Sequence, residues 1–125
     1  MNKALKVILV LAAILFIVNG VRWLVAPAGI APMFGLDLAT GIGLSSQVGD
    51  MSAFFLTLGA CMLIAVISGR RSWYYPPMML LGITAIGRIL AWLVHGAAFA
   101  TDLILVEVVI AIILLIASRR LPESD

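Results

Sequence analysis

From Val7 to Val18 the chain runs for twelve apolar residues without a polar break, and the run continues through Asn19, Gly20 and Arg22 to Val25. A bilayer core about 30 Å thick needs roughly 20 apolar residues per spanning helix, so this segment is long enough to cross one. Stretches of similar character cover about 48–68, 76–94 and 100–117. With a first span at about 5–25 they predict an all-α, integral membrane four-helix bundle forming a single domain over residues 1–125. Four spans consume about 80 residues, which leaves room for one long connection, 26–47, and not for two further spans.

The composition fits no soluble class. Of the residues, 64% are hydrophobic and 11% charged, and the mean hydropathy is +1.22. A soluble domain carries about 45–50% apolar and about 25% charged residues. Eight Lys and Arg face six Asp and Glu with no basic stripe, so phosphate recognition has nothing to work with and no nucleic-acid partner is expected.

Lys3 and Lys6 before the first apolar run, and Ala26-Pro27-Ala28 after it, resemble a signal peptide with its cleavage site. The apolar stretch is too long for one, and Arg22 interrupts the cleavage region, so a retained span is expected. Gly69-Arg70-Arg71 gives the second span a stop signal. Pro76 or Pro77 opens the third, Ser118-Arg119-Arg120 closes the fourth, and the tail from Leu121 to Asp125 reads as polar and frayed.

Lys3, Lys6, Arg70, Arg71, Arg119 and Arg120 all fall on one side of such a bundle, whereas 26–47 and 95–99 contain no Lys or Arg. The positive-inside rule then places both termini in the cytoplasm. Trp73, Tyr74 and Tyr75 read as an inner interfacial anchor, and Trp23 with Trp92 as an outer one.

The polar residues inside the spans carry the functional information, because each costs about 2.5–3.5 kcal/mol near a helix centre on insertion scales. At 1.5 Å per residue from each outer boundary, Arg22 lies ~5 Å deep and Asp50 ~4 Å, while Arg88 lies ~10 Å deep and Glu107 ~9 Å. The depths match as two opposite-sign pairs in one half of the bundle, and Asn19, His95 and Asp102 share that half. Two readings stand. Arg22–Asp50 and Arg88–Glu107 are structural ion pairs that set helix register, or they line a polar pocket open to the outer face. Thr84, Arg88, Trp92 and His95 recur at helical spacing, so one stripe of span three faces the interior. Ser45 or Ser46 can cap the second span, with Asp50 in its first turn. The connection's apolar segment, Met33 to Leu38, is expected along the outer interface or over the bundle mouth.

A single Cys61 excludes a dithiol relay and reads as packing. A single His95, whose spacing to Asp102 and Glu107 matches no ligand pattern, gives no metal site. No phosphate loop, dinucleotide motif or serine nucleophile motif occurs, so no cofactor is expected. No strict G-x-x-x-G is present, which leaves helix dimerisation by that route without support.

Gly49-Asp50-Met51-Ser52-Ala53-Phe54-Phe55-Leu56, Ala85-Ile86-Gly87-Arg88-Ile89-Leu90, His95-Gly96-Ala97-Ala98 and Val106-Glu107-Val108-Val109 together resemble a four-span bacterial membrane family of unknown function, similar in layout to the DoxX-like proteins. The resemblance covers nearly the whole chain, and Gly87-Arg88 and Glu107 are its most specific parts. It implies one four-helix bundle in a bacterial inner membrane and no assigned activity.

The combined expectation is a non-enzymatic membrane protein whose outward-facing polar seam binds a small amphiphile, a lipid or a quinone, or docks an accessory partner. Arg22, Asp50, Arg88 and Glu107 form its floor, with Asn19, Trp92, His95 and the Met33–Leu38 segment toward the mouth. The alternative is a proton- or ion-coupled transporter working as a homo-oligomer. A lipid-modifying enzyme, with Asp50 or Glu107 as general base beside His95, is the third reading.

Overall fold

Each apolar stretch folds as one long helix, and the helices alternate in direction. The computed structural model describes residues 2–122, and among these every regular element is helical. Helix α1 (Asn2–Val25) leads through a short α2 (Pro27–Ile30) and a 3₁₀ turn (Ala31–Phe34) to α3 (Gly41–Ser68). A second 3₁₀ turn (Arg71–Tyr74) joins α3 to α4 (Tyr75–Val94), and α5 (Thr101–Arg120) closes the chain. Four of these segments, with α4 extended back to Arg71, are long and apolar enough to cross a membrane.

Helix α3 begins at Gly41 rather than near residue 48, so much of the expected connection is helical. Its N-cap is Thr40, which makes no side-chain cap bond. Ser45 and Ser46 therefore lie inside the helix, and Asp50 is well past the first turn. The remaining loop is held by Gln47, whose Oε1 accepts from the Ala39 N–H (2.9 Å) and whose amide donates to the Asp37 carbonyl (2.9 Å). A side chain on the helix thus satisfies backbone groups that a free loop would leave to water.

The bundle is built from two hairpins. Helices α1 and α3 pack most closely, because a β-carbon on Gly20 would meet Leu56 Cγ at 2.7 Å and one on Gly59 would meet Ile17 Cγ1 at 2.5 Å. Where lipid is as apolar as leucine, helices associate by close van der Waals packing, and glycine permits the closest approach. These two glycines come from different helices, so a search for G-x-x-x-G within one helix does not find them. Around them Leu9, Ala13, Leu58, Met62 and Ala65 are fully buried. Helices α4 and α5 form the second hairpin, and Leu81, Leu114 and Ala117 join it to the same core.

At the α3–α4 corner, Gly69 adopts φ 69°, a left-handed conformation that glycine takes without a β-carbon clash, and its N–H returns to the Ala65 carbonyl. Arg71 Nε donates to the Ser118 carbonyl at 2.6 Å, which ties this corner to the end of α5. Gly20 faces Leu56 while Gly59 faces Ile17, so position rises along α1 as it falls along α3 and the two helices are antiparallel. Lys3 and Lys6 therefore share an end of the bundle with Arg70, Arg71, Arg119 and Arg120. Leu121 is buried against the core rather than frayed, and residues 123–125 of the expected tail lie outside the described residues.

Outward faces are apolar: Leu11, Leu15, Ile67, Ile83, Leu93 and Leu105 are all exposed. A water-soluble bundle presents polar residues there. The aromatic residues depart from the expected anchors. Trp23 is fully buried beneath Phe34, at 6.3 Å between ring centres, and Tyr74 is also buried. Trp73, Tyr75 and Trp92 remain exposed.

Candidate functional site

The four long helices leave a cavity of about 420 Å³ between the two hairpins. Helical spacing explains which residues reach it. Phe16 and Asn19 of α1, Asp50 and Phe54 of α3, Thr84 and Arg88 of α4, and Leu103 with Val106 and Glu107 of α5 recur at intervals of three or four on one side of each helix, and Phe55 reaches the cavity beside Phe54. Phe34 enters from the 3₁₀ turn. The exposed lining residues Leu15, Asp50 and Val106 mark where the cavity opens between helices.

Arg88 and Glu107 meet side-on. Arg88 Nε lies 3.1 Å from Glu107 Oε1 and 3.0 Å from Oε2, and Glu107 is buried. A carboxylate at this depth is tolerable because the pair is neutral as a unit and hydrogen-bonded. The two terminal guanidinium nitrogens make no hydrogen bond among the described residues, so Arg88 keeps donor capacity toward the cavity. Thr84 Oγ1 donates back to the Leu80 carbonyl at 2.6 Å, which leaves its methyl group and an oxygen lone pair at the wall.

The second expected pair does not form. Arg22 turns away from Asp50, donating from one terminal nitrogen to the Gly29 carbonyl (3.2 Å) and from the other to Met33 Sδ (3.5 Å). Its role in the structure is to hold the connection against the end of α1. Gly35 makes that connection compact. At φ 69° it turns the chain so that its own N–H reaches Pro32 O and the Leu36 N–H reaches Ala31 O, both at 3.0 Å. Ile30 and Ala31 are consequently fully buried, and Phe34 folds over the bundle mouth. Asp50 has no hydrogen-bond or ion-pair partner among the described residues.

Of the seven residues singled out from sequence, the cavity gathers Asn19, Asp50, Arg88 and Glu107. Arg22 belongs to the connection. Trp92 packs edge-on against Phe99 (5.0 Å between ring centres), and His95 is exposed at the end of α4, where its backbone N–H meets Ala91 O. The stripe from Thr84 therefore reaches the cavity only as far as Arg88, and His95 is not among the residues that line it with Asp50 and Glu107.

The residues that pattern reading missed are phenylalanines. Phe16, Phe34, Phe54 and Phe55 all line the cavity, and they are four of the chain's five. Phe55 lies at their centre, 6.1 Å from Phe16, 5.3 Å from Phe34 and 5.1 Å from Phe54 between ring centres. Within an apolar run they look like filler. Only the adjacent pair Phe54-Phe55, one turn from Asp50, hinted otherwise.

A second space of about 380 Å³ lies between α4 and α5, lined by Met78, Gly82, Ile86, Ile112 and others, and Glu107 borders it too. No protein-family model matches the chain, and no curated protein or solved structure compared with it is similar.

Proposed function

We propose that this protein is a non-enzymatic multi-pass membrane protein that binds a small amphiphile, such as a lipid or a quinone, in the cavity between its hairpins. The observation that carries the reading is the cavity's composition. An apolar wall surrounds a small polar group made by Asn19, Asp50, Thr84, Arg88 and Glu107. Ligand sites are mostly apolar, with a few placed polar groups that fix orientation, and this one opens beside the exposed apolar side chains Leu15 and Val106. An amphiphile can therefore enter from lipid with its body against the wall and its head toward the polar group.

In this reading both termini lie in the cytoplasm, because the six basic residues share one end of the bundle. The bacterial inner membrane is the location implied by the resemblance of Gly87-Arg88 and Glu107, in their settings, to a four-span bacterial family. A homo-oligomer or an accessory subunit would cover part of the apolar outer face.

Native mass spectrometry of the protein released from a nonionic detergent tests the reading. Wild type should retain one small-molecule adduct, and Met51→Trp, which fills the cavity from α3, should lose it while keeping its helical circular dichroism. Absence of an adduct from every preparation, with lipid and quinone added back, overturns the reading.

Glu107 borders both spaces, and this supports the second reading, a proton- or ion-coupled transporter. Toward the basic end, however, Leu9, Leu58, Met62, Leu81 and Leu114 are buried and apolar, so a polar path does not continue within one chain. Ion flux in liposomes that disappears in Glu107→Gln would favour transport; no flux under any gradient removes it.

A further inference from the structure

We infer that the cavity selects an organic cation, a ligand whose positive charge sits on an apolar body. The inference rests on the amphiphile-binding reading and names the charge of the ligand. Two observations carry it independently.

One is charge balance. Arg88 and Glu107 neutralise each other at 3.0 Å. Asp50 lines the same cavity and has no partner among the described residues. Its carboxylate leaves the site with one unbalanced negative charge, at the opening of the cavity where Asp50 is exposed. An anionic head would add a second negative charge, and like charges repel. A cation removes the imbalance. Arg88 contributes hydrogen-bond donors through its terminal nitrogens and contributes no net charge.

The other is the aromatic lining. Phe16, Phe34, Phe54 and Phe55 all line the space, and the rings of the first three lie 5.1–6.1 Å from that of Phe55. The face of a benzene ring carries the negative end of its quadrupole, and alkylated ammonium groups are recognised by clusters of such faces. Leucine or isoleucine would make an equally apolar wall without that preference. Four phenylalanines and a carboxylate without a partner among the described residues line one cavity, which joins the two features that hold a poorly hydrated cation.

Matched lipophilic ions separate charge from greasiness. Tetraphenylphosphonium and tetraphenylborate have nearly the same size and apolar surface and opposite charge, and neutral triphenylphosphine oxide provides a reference. Equilibrium dialysis of the full chain in dodecyl maltoside should show saturable tetraphenylphosphonium binding and at least about tenfold weaker tetraphenylborate binding, given a carboxylate within reach of the charge. Asp50→Asn should weaken the cation about tenfold or more and leave the neutral oxide unchanged. Asp50 is exposed and makes no bond, so this variant keeps the fold. Phe54→Leu should weaken the cation a further few-fold, because one ring face is lost. Displacement of the probe by phosphatidylethanolamine assigns the cation to a lipid headgroup, and displacement only by tetramethylammonium-type solutes assigns it to a free cation; either supports the site.

Equal affinity for both ions, or an Asp50→Asn variant that binds the cation as wild type does, overturns the inference. If the neutral oxide binds saturably in that case, the amphiphile-binding reading stands without it. If none of the three probes binds, both fall.

Discussion

Gly59 on α3 faces Ile17 on α1 so closely that a β-carbon on the glycine would stand 2.5 Å from Ile17 Cγ1 and 2.7 Å from the Ala13 carbonyl oxygen. The second of these is backbone and cannot rotate away. Gly59→Ala must therefore push α1 and α3 apart, and overpacking of this kind costs about 1–3 kcal/mol, with the upper end expected here. Gly82→Ala, where nothing lies within 4 Å of the added carbon, should be neutral or stabilising by up to about 1 kcal/mol. Thermal denaturation in detergent distinguishes the two, and equal melting temperatures would contradict the close crossing.

Arg88 and Glu107 should behave as a unit. Arg88→Met leaves a buried carboxylate without its cation, at a cost of about 3–5 kcal/mol. Replacing both, as Arg88→Met with Glu107→Leu, removes the unpaired charge together with its partner and should recover most of the loss. A double variant as unstable as the single one would mean that the ion pair is not the relevant interaction.

Arg22 acts locally. Without its bonds to Gly29 and Met33, the connection over α1 loses a charge-assisted anchor worth about 1.5–3 kcal/mol. Arg22→Ala should speed hydrogen exchange of the amides between Gly29 and Leu38 by about tenfold or more, because local opening follows the free energy lost there. Amides in the centre of α1 and α3 should keep their rates. Faster exchange throughout the protein would assign Arg22 a global role instead.

The two arginines show what could be read from the chain and what could not. Arg88 and Glu107 were matched by depth, and depth is enough when neighbouring antiparallel helices face each other along their whole length. Arg22 and Asp50 match equally well by depth, yet that match assumes a helix start near residue 48. The helix starts at Gly41, although Gly41, Gly43 and Gly49 weaken the local helical signal, and the Gln47 bonds to Ala39 and Asp37 tie its first turns to the loop. Depth also says nothing about direction around the axis, and Arg22 found a nearer acceptor in the Gly29 carbonyl. The four-helix architecture is legible because stretches of about twenty mostly apolar residues have few ways to fold. The phenylalanine cluster is not, because an aromatic ring in an apolar run carries no pattern until four helices bring the rings together.

Orientation can be tested with the residues the chain already has. Cys61 is its only cysteine and is buried in α3, so Cys61→Ala gives a background without thiols at the cost of a small cavity. In that background Ser72→Cys places a thiol on the exposed turn between α3 and α4, beside Arg70 and Arg71. Thr40→Cys places one at the exposed start of α3, at the opposite end of the bundle. Basic residues near span ends are retained on the cytoplasmic side, and six of them cluster at the Ser72 end while 26–47 has none. A membrane-impermeant maleimide added to intact cells should therefore label the Thr40→Cys variant and leave Ser72→Cys unlabelled until the membrane is opened. The opposite pattern would reverse the bundle, and partial labelling of both would mean that the chain inserts in two directions despite its charge bias.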